Sequence, residues 1–327
     1  MIQRPKPFIV VHDDAPALAA LRGAVVAIGN FDGVHRGHLS VIDAAVARAR
    51  ALGKPAAALT FEPHPRSVLR PHEPVFRLTD ERAKLRLLAG TALDGAFVLT
   101  FDKTFASMSA EDFIAKILME RIGISGASIG FDFHFGMARR GSPAFLAAEG
   151  ETRGFSVAIM PPLEDEGRPV SASSIRAALA EGRVVEAAEL LGYPWFVSGP
   201  VIGGEKRGRD LGYPTANLRL DPACNLKHGI YAVRVDMHGK RHDGVASFGR
   251  RPTFDNGAPL LEVHLFDFAG DLYGVSLDVA FIGWIRPELK FDSVEDLVRR
   301  MDDDSRLARA ALARAGDTFP PFGPLPA

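Results

Sequence analysis

The segment that spans residues 24–52 constrains the fold of this chain more than any other part of the sequence. The apolar run 24–28 has the composition of a buried strand, and it ends at the glycine-rich turn Gly29–His38. The residues after this turn have apolar positions three and four apart, as on one face of a helix; these are Leu39, Ile42, Val46 and Ala49. A strand that ends in glycines and continues into a helix places backbone N–H groups and the positive end of a helix dipole where a phosphate binds. The segment therefore predicts a phosphate site within an α/β fold.

Short apolar runs alternate with helical patterns through the first half of the chain. The predicted strands are 24–29, 56–61, 96–101, 127–131 and 155–160, and the predicted helices are 37–52, 79–89, 109–122 and 142–150. This rhythm is typical of a doubly wound parallel sheet. Because ligands of such sheets bind beyond the carboxyl ends of the strands, the residues that follow each strand are the candidates for function.

Segments of unusual composition follow these predicted strands, so they should lie at one edge of the sheet. They are Gly29–His38, Glu62–Pro65, Gly130–Gly136 and Ser171–Arg176. Each has a structural explanation when taken alone: an ordinary turn, a proline that ends a strand, or a solvated helix residue. Their common location favours function. Phe131, Phe133 and Phe135 alternate along the third segment, and we interpret them as core residues.

Two histidines lie three residues apart at the start of the first predicted helix, so their side chains can project in the same direction. In transfer of a nucleotidyl group, charge builds on the α-phosphate and on the departing pyrophosphate, where positioned donors and a magnesium ion stabilise it. We predict that His35 and His38 are such donors and that Arg176 binds the triphosphate. The sequence contains neither G-x-x-x-x-G-K-[ST] nor G-x-G-x-x-G, which argues against a P-loop NTPase or a dinucleotide dehydrogenase.

The second half of the chain has a different pattern, and we place the domain boundary between residues 186 and 187. The predicted strands are 195–202, 217–220, 230–237, 241–248, 261–268 and 275–285. Closely spaced strands separated by turn signals are typical of a small antiparallel β-barrel. A helix that includes Val294 to Met301 should follow the barrel up to residue 314, and residues 315–327 form a proline-rich tail that we expect to be loose.

Two places in the predicted barrel interrupt its regular pattern. Pro214 favours extended backbone before it, and continued extension points Thr215 and Asn217 to one side, where they could hold a magnesium ion between phosphates. An ordinary turn with local hydrogen bonds is the alternative. Glu262 shares a strand face with His264 and two phenylalanines, an environment that is costly for a carboxylate unless it is paired or used. An edge-strand charge that discourages aggregation is the alternative there.

Composition narrows the class of protein. A formal net charge of −1 argues against a nucleic-acid or membrane binder, because such proteins usually carry a basic excess. The single cysteine, Cys224, excludes an internal disulfide and a multi-cysteine zinc site, and we expect a buried, inert thiol. Residues 1–20 lack the apolar core of a signal peptide. We therefore expect a cytoplasmic enzyme with small-molecule substrates, and the sequence predicts no oligomeric state.

Ordered motifs across both halves resemble the bacterial bifunctional riboflavin kinase/FMN adenylyltransferase family, also called FAD synthetases. The motifs are GNFDGVHRGH from Gly29, TFEPHP from Thr60, GFDFHFG from Gly130, GRDLGYPTANL from Gly208, PTFD from Pro252 and LEVHLFDF from Leu261. The resemblance covers roughly residues 24–314. It implies an amino-terminal adenylyltransferase of the HxGH nucleotidyltransferase superfamily and a carboxy-terminal kinase barrel. The barrel would convert riboflavin and ATP to FMN and ADP, and the other domain would convert FMN and ATP to FAD and pyrophosphate, both with Mg2+.

The resemblance also implies roles for individual residues. His35 and His38 would stabilise adenylyl transfer, Glu262 would accept the proton of the riboflavin hydroxyl, and Thr215 and Asn217 would bind Mg2+. The implied nucleotide-binding residues are Gly29, Phe31, Asp32, Gly33, Gly37, Asp132, Ser171, Ser173, Arg176, Gly208 and Arg209.

Two departures from the family pattern fall in the first domain. The family commonly has Ser-Ser-Thr-Arg-Ile-Arg where this chain has the segment Ser171–Arg176, with Ala172 and Ser174 in place of a hydroxyl and a cation. Met137 stands where a lysine is frequent. Two alternatives therefore stay open: a riboflavin kinase with a weakened or redirected nucleotidyltransferase domain, and a non-catalytic sensor of flavins or nucleotides.

Overall fold

The structure is a computed structural model that describes residues 7–13, 16–165, 167–203, 212–250 and 259–325. The described residues form two compact units. The first comprises the chain up to residue 75, residues 79–171 and the chain from 321 onwards, and the second comprises residues 76–78 and 172–320. The main part of the second unit thus starts at residue 172, before the domain boundary that we predict between residues 186 and 187. That boundary stays a prediction.

The first unit contains a six-stranded sheet in the order β1-β4-β3-β2-β5-β6, with every neighbouring pair parallel. Its strands are β1 (Ile9–His12), β2 (Val25–Ile28), β3 (Ala56–Glu62), β4 (Gly95–Thr100), β5 (Gly126–Gly130) and β6 (Ser156–Met160). The predicted doubly wound parallel sheet is confirmed. The central strand β2 is buried on both faces, as the continuous apolar run predicts.

Helices cover the sheet. They are α1 (Arg36–Leu52), α2 (Pro65–Leu69), α3 (Glu81–Ala89), α4 (Lys103–Ala106), α5 (Ala110–Asp112), a π-helix (Phe113–Ile122) and α6 (Pro143–Arg153). Short 3₁₀ segments occur at Pro16–Leu21 and Met137–Arg139, and β7 (Glu164–Asp165) pairs with β8 (Arg168–Pro169) in a small hairpin. In α1 the buried positions are Val41, Ile42, Ala45 and Ala49, so the buried face is rotated slightly from the predicted one.

The second unit begins with α7 (Ala172–Ala180) and α8 (Val184–Leu191) and continues as an antiparallel sheet in the order β10-β13-β12-β11-β14-β9. Its strands are β9 (Phe196–Pro200), β10 (Ala216–Arg219), β11 (Gly229–Met237), β12 (Lys240–Arg250), β13 (Pro259–Leu265) and β14 (Ser276–Arg286). An isolated bridge between Ile202 and Asn217 joins the two edges of this sheet, which therefore nearly closes into a barrel. The long helix α9 (Val294–Ala315) follows, so the predicted barrel with a carboxy-terminal helix is confirmed.

Three local expectations were wrong. Residues 266–268 of the predicted strand 261–268 do not belong to a strand, because β13 ends at Leu265 and Asp267 adopts a positive φ of 55°. Phe131 is 51% exposed and does not belong to the core, whereas Phe135 does. The tail is not loose at Phe322, within its described part, because the guanidinium of Arg86 lies 3.7 Å from the centroid of the Phe322 ring within the first unit.

No helix among the described residues has the length and apolar character needed to cross a membrane.

Two candidate active sites

The first candidate site is built on the turn between β2 and α1. Phe31, Gly33 and Val34 adopt φ values of 49°, 79° and 36°, so the chain reverses within a few residues before the helix begins. A Cβ on Gly29 would lie 3.4 Å from the buried ring of Phe31, so this glycine leaves room for the ring. Residues 31–35 of the turn are therefore buried, whereas Asn30 is exposed.

Asp32 faces the protein at this turn. It is 4% exposed, and its Oδ1 accepts hydrogen bonds from the backbone N–H of Thr79 at 3.0 Å and from the Thr79 hydroxyl at 3.4 Å. The backbone N–H of Gly33 in turn donates to the Thr79 hydroxyl at 3.0 Å. These bonds fix the middle of the turn to the residues that precede α3. The nucleotide contacts predicted for Asp32 and Gly33 stay predictions.

The two histidines meet at the start of α1. His35 is the N-cap of the helix, 6% exposed, and its Nδ1 accepts a hydrogen bond from the backbone N–H of His38 at 3.3 Å. Their rings stack with centroids 3.6 Å apart, and the His38 ring contacts Phe31 edge-on at 5.3 Å. An accepting Nδ1 leaves Nε2 as the protonated nitrogen of a neutral His35 ring. Both side chains thus occupy the positive end of the α1 dipole, where an anion is stabilised.

Gly37 allows a second chain segment to approach the histidines. A Cβ at this position would lie 3.2 Å from the His35 ring and 3.2 Å from the carbonyl oxygen of Val170. Arg36 binds the adjacent hairpin through Asp165 at 2.9 Å. Because Val170 precedes Ser171 directly, Ser171 is brought to the start of α1.

The other predicted nucleotide-binding residues are placed as follows. Asp132 is exposed and follows β5, the strand paired with β2, so it shares the carboxyl edge of the sheet with the histidines. Ser173 and Arg176 lie on α7 in the second unit, where the Nε of Arg176 donates to the carbonyl of Phe76 at 2.6 Å. Gly208 and Arg209 fall outside the described residues, as does the PTFD stretch from Pro252.

The second candidate site lies on three adjacent strands of the barrel. Asn217 on β10 is directly opposite Glu262 on β13, and Glu262 is directly opposite Ser247 on β12. Side chains at directly opposed positions of an antiparallel pair share a face, with Cβ atoms about 5 Å apart. Thr215 precedes Asn217 by two residues, just before β10 begins. The structure thus joins Asn217 and Glu262, which are separated by 45 positions in the chain.

The segment that carries Thr215 is held by two neighbours, His264 and Tyr213, to which the sequence analysis gave no role. The ring of His264 contacts the carbonyl oxygen of Pro214 through Nδ1 at 3.0 Å and packs 4.9 Å from the Tyr213 ring. The Tyr213 hydroxyl donates to Asp302 on α9. Burial, together with the Asp302 carboxylate, raises the pKa of Tyr213 to about 12, so this hydroxyl stays a donor through the neutral range.

A magnesium ion fits the donor chemistry of this second cluster. Among the described residues there is no group of three His, Cys, Asp or Glu side chains able to form a metal cage. Mg2+ in phosphoryl-transfer sites is instead held by one or two protein oxygens together with substrate phosphates and water. The hydroxyl of Thr215 and the amide oxygen of Asn217, which is 6% exposed and lies beside Glu262, provide such oxygens.

The two units each have their own cluster suited to phosphate chemistry. They therefore indicate the class of protein, a two-domain phosphotransfer enzyme. The FAD synthetase family model matches residues 18–174, and the riboflavin kinase family model matches residues 191–312. The bifunctional riboflavin kinase/FMN adenylyltransferase of Pseudomonas fluorescens is 40% identical over 293 residues, covering 89% of this chain and 94% of that protein. The enzyme of the same name from Escherichia coli K12 is 36% identical over 292 residues, covering 89% and 93%.

A solved structure has a similar fold over most of this chain. The crystal structure of a protein from Streptococcus pneumoniae, described as a macrolide-efflux protein, has a TM-score of 0.80 and 32% identity and covers 92% of this chain and 99% of that one. The chain belongs to the bifunctional riboflavin kinase/FMN adenylyltransferase family. The resemblance inferred from the motifs is confirmed.

Proposed function

We propose that this chain makes FAD from riboflavin in two steps: ATP-dependent phosphorylation of riboflavin to FMN in the second unit, and transfer of AMP from ATP to FMN in the first. The observation that carries the proposal is that each unit has its own cluster. The stacked pair His35 and His38 lies at a helix N-terminus in one unit, and the pair Asn217 and Glu262 lies across two strands in the other.

In the kinase step, Glu262 accepts the proton of the terminal ribityl hydroxyl as its oxygen attacks the γ-phosphorus of ATP, and the bond to the β-phosphate oxygen breaks to release ADP. Thr215 and Asn217 would hold Mg2+ together with the phosphates, and the bound ion would supply charge neutralisation at the phosphate oxygens. His264 and Tyr213 keep the Thr215 segment in place through the contacts described above. Gly208 and Arg209 are proposed to contact the nucleotide.

In the adenylyltransferase step, a phosphate oxygen of FMN attacks the α-phosphorus of ATP and the bond to the bridging oxygen breaks, which releases pyrophosphate. His35, His38 and the first N–H groups of α1 donate to the oxygens on which charge builds. Gly29, Gly33 and Gly37 are proposed to let the backbone approach the nucleotide, and the Phe31 ring contacts His38. Asp132 and Ser171 are proposed as further nucleotide contacts, and the nucleotide-binding roles of Ser173 and Arg176 stay predictions from the resemblance.

The proposal includes Mg2+ for both steps, a cytoplasmic location, and riboflavin, FMN and ATP as small-molecule substrates, with no nucleic-acid or membrane partner. Supporting observations are the oxygen donors at Thr215 and Asn217, the near-neutral net charge and the single cysteine. Chelation of divalent ions should stop both steps, and added magnesium should restore them.

The experiment that tests the function incubates the full chain with riboflavin, ATP and magnesium and separates the flavins over time. We expect FMN to appear first and FAD to follow, with ADP and pyrophosphate released. Accumulation of FMN without FAD would support a kinase with a weakened or redirected first domain. Tight binding of flavin or nucleotide without ADP or pyrophosphate would support a non-catalytic sensor.

A further inference from the structure

Lys84 is a buried lysine that none of the motifs includes. It lies in the first turn of α3, and its side chain is 3% exposed. Its Nζ forms an ion pair with Glu62 Oε1 at 2.7 Å and donates to the Thr60 hydroxyl at 3.1 Å. The carbonyl oxygens of Phe61 and Asn30 lie 3.3 Å and 3.4 Å from the same nitrogen. One ammonium group thus contacts oxygens from two separate segments.

These contacts join the two segments that leave the neighbouring strands β2 and β3. Asn30 belongs to the turn that leads to the histidines, whereas Thr60 and Glu62 end the next strand of the sheet. The Thr60 hydroxyl also donates to the Asn30 carbonyl at 3.1 Å, so Thr60 and Lys84 hold the same carbonyl from two sides.

The turn needs such support because its backbone is strained. Phe31 and Val34 are non-glycine residues at positive φ, a conformation that persists only where the surroundings impose it. Lys84 holds Asn30, which directly precedes Phe31, and Thr79 holds Asp32 and Gly33, which lie between Phe31 and Val34. Both supports come from α3 and the residue just before its N-cap Asp80, so α3 is the platform for the turn.

Burial of this ammonium group opposes two physical preferences. Removing a charge from water is costly, and the positive end of the α3 dipole disfavours a cation in the first turn. A buried ion pair is weak evidence for a gain in stability, since an apolar pair of similar volume is often as stable. An apolar pair in place of Lys84 and Glu62, such as two methionines, would however not make directed hydrogen bonds to Asn30 and Thr60.

We propose that Lys84 is a positioning residue for adenylyl transfer: it fixes the Asn30 turn so that His35 and His38 present their donors to the phosphate. This inference rests on the proposed function of the first unit. Lys84 acts through the turn and needs no contact with the nucleotide.

The test compares Lys84→Met with the double variant Glu62→Gln/Lys84→Met. The single variant leaves the Glu62 carboxylate, which is 11% exposed, without its ammonium partner, whereas the double variant removes that charge and should recover much of the lost melting temperature. We expect both variants to lower kcat for FAD formation from FMN and ATP by about tenfold or more, because small misplacement of catalytic groups is costly. FMN formation from riboflavin in the same protein should stay at the wild-type rate.

Arg50→Met is the matched control. Arg50, whose side chain is 50% exposed, pairs with Asp94 at 2.7 Å at the opposite edge of the same sheet, so its loss should change the melting temperature little and leave kcat and KM for FAD formation unchanged. All rates are measured well below each variant's melting temperature. The inference is overturned if kcat recovers with stability in the double variant, or if Lys84→Met behaves like Arg50→Met. If the wild-type protein makes no FAD, the proposed function fails instead.

Discussion

At the scale of single residues, the first site depends on close approach between backbone segments. The sequence motif identified the histidines and glycines, and the structure shows why the glycines are needed: Gly37 lies against both the His35 ring and the Val170 carbonyl. Lys84 could not be found in the same way, because its partners Asn30 and Glu62 lie 54 and 22 positions away in the chain and no spacing rule links them.

Gly37→Ala separates helix stability from catalysis. Alanine is favoured over glycine in a helix by about 1 kcal/mol, so local propensity alone predicts a more stable α1. The added Cβ, however, would displace either the His35 ring or the Val170 segment from a distance of 3.2 Å. We expect FAD formation to fall by about tenfold while FMN formation is unchanged. A variant with wild-type kinetics for FAD formation would show that this approach has no functional role.

Tyr213 provides a prediction about pH. Its folded pKa is raised to about 12 from an ordinary value of 10, first by burial and then by Asp302. The raised pKa means that its stabilising contribution is complete below pH 10 and is lost as the pH rises through about 12. Tyrosinate absorbance of the wild type minus that of Tyr213→Phe should therefore show a group that titrates near pH 12. A midpoint near 10 would contradict the contact with Asp302.

At the scale of secondary structure, periodicity and glycine placement predicted most strands and helices to within a few residues. Strand β1 was missed, because a four-residue edge strand has too few positions to show a pattern. The helix predicted at 109–122 exists, but most of it is a π-helix, which side-chain spacing does not distinguish from an α-helix over so short a length. The exposure of Phe131 was also missed, because β5 ends at Gly130 and the chain turns there, so the alternation of Phe131, Phe133 and Phe135 does not place them on one strand face.

The helix α9 is attached to the barrel by a buried ion pair. Arg286 at the end of β14 donates to Asp304 through Nε at 2.8 Å and through Nη2 at 2.6 Å, and both side chains are buried. Removing one partner leaves the other charge buried and unpaired. We expect Asp304→Ala to lower the free energy of unfolding of the second unit by about 3–5 kcal/mol.

The neighbouring variant Asp303→Ala is the control for that prediction. Asp303 forms an exposed pair with Arg306 at 3.1 Å, so its loss should cost no more than about 0.5 kcal/mol. Both tryptophans, Trp195 and Trp284, lie in the second unit, so urea unfolding followed by tryptophan fluorescence reports on that unit. Equal losses for the two variants would argue against an attachment role for Asp304.

At the scale of the whole molecule, the chain combines two architectures with two kinds of phosphate chemistry. A parallel sheet gathers residues at the carboxyl ends of its strands, which is how turns far apart in the sequence come to share one edge. An antiparallel barrel instead brings opposed strands into register, which is how Asn217, Glu262 and Ser247 form one row. The motif order along the chain was enough to predict this division, whereas the pairing within each site required the fold.

The measurement that tests this division most directly is a reciprocal assay of two variants. With FMN supplied, Glu262→Ala should form FAD at the wild-type rate and should lose FMN formation from riboflavin by about 10²-fold or more. His38→Ala should form FMN at the wild-type rate and lose FAD formation by about 10²-fold or more. If each variant impairs both steps to the same extent, the assignment of one reaction to each unit is contradicted.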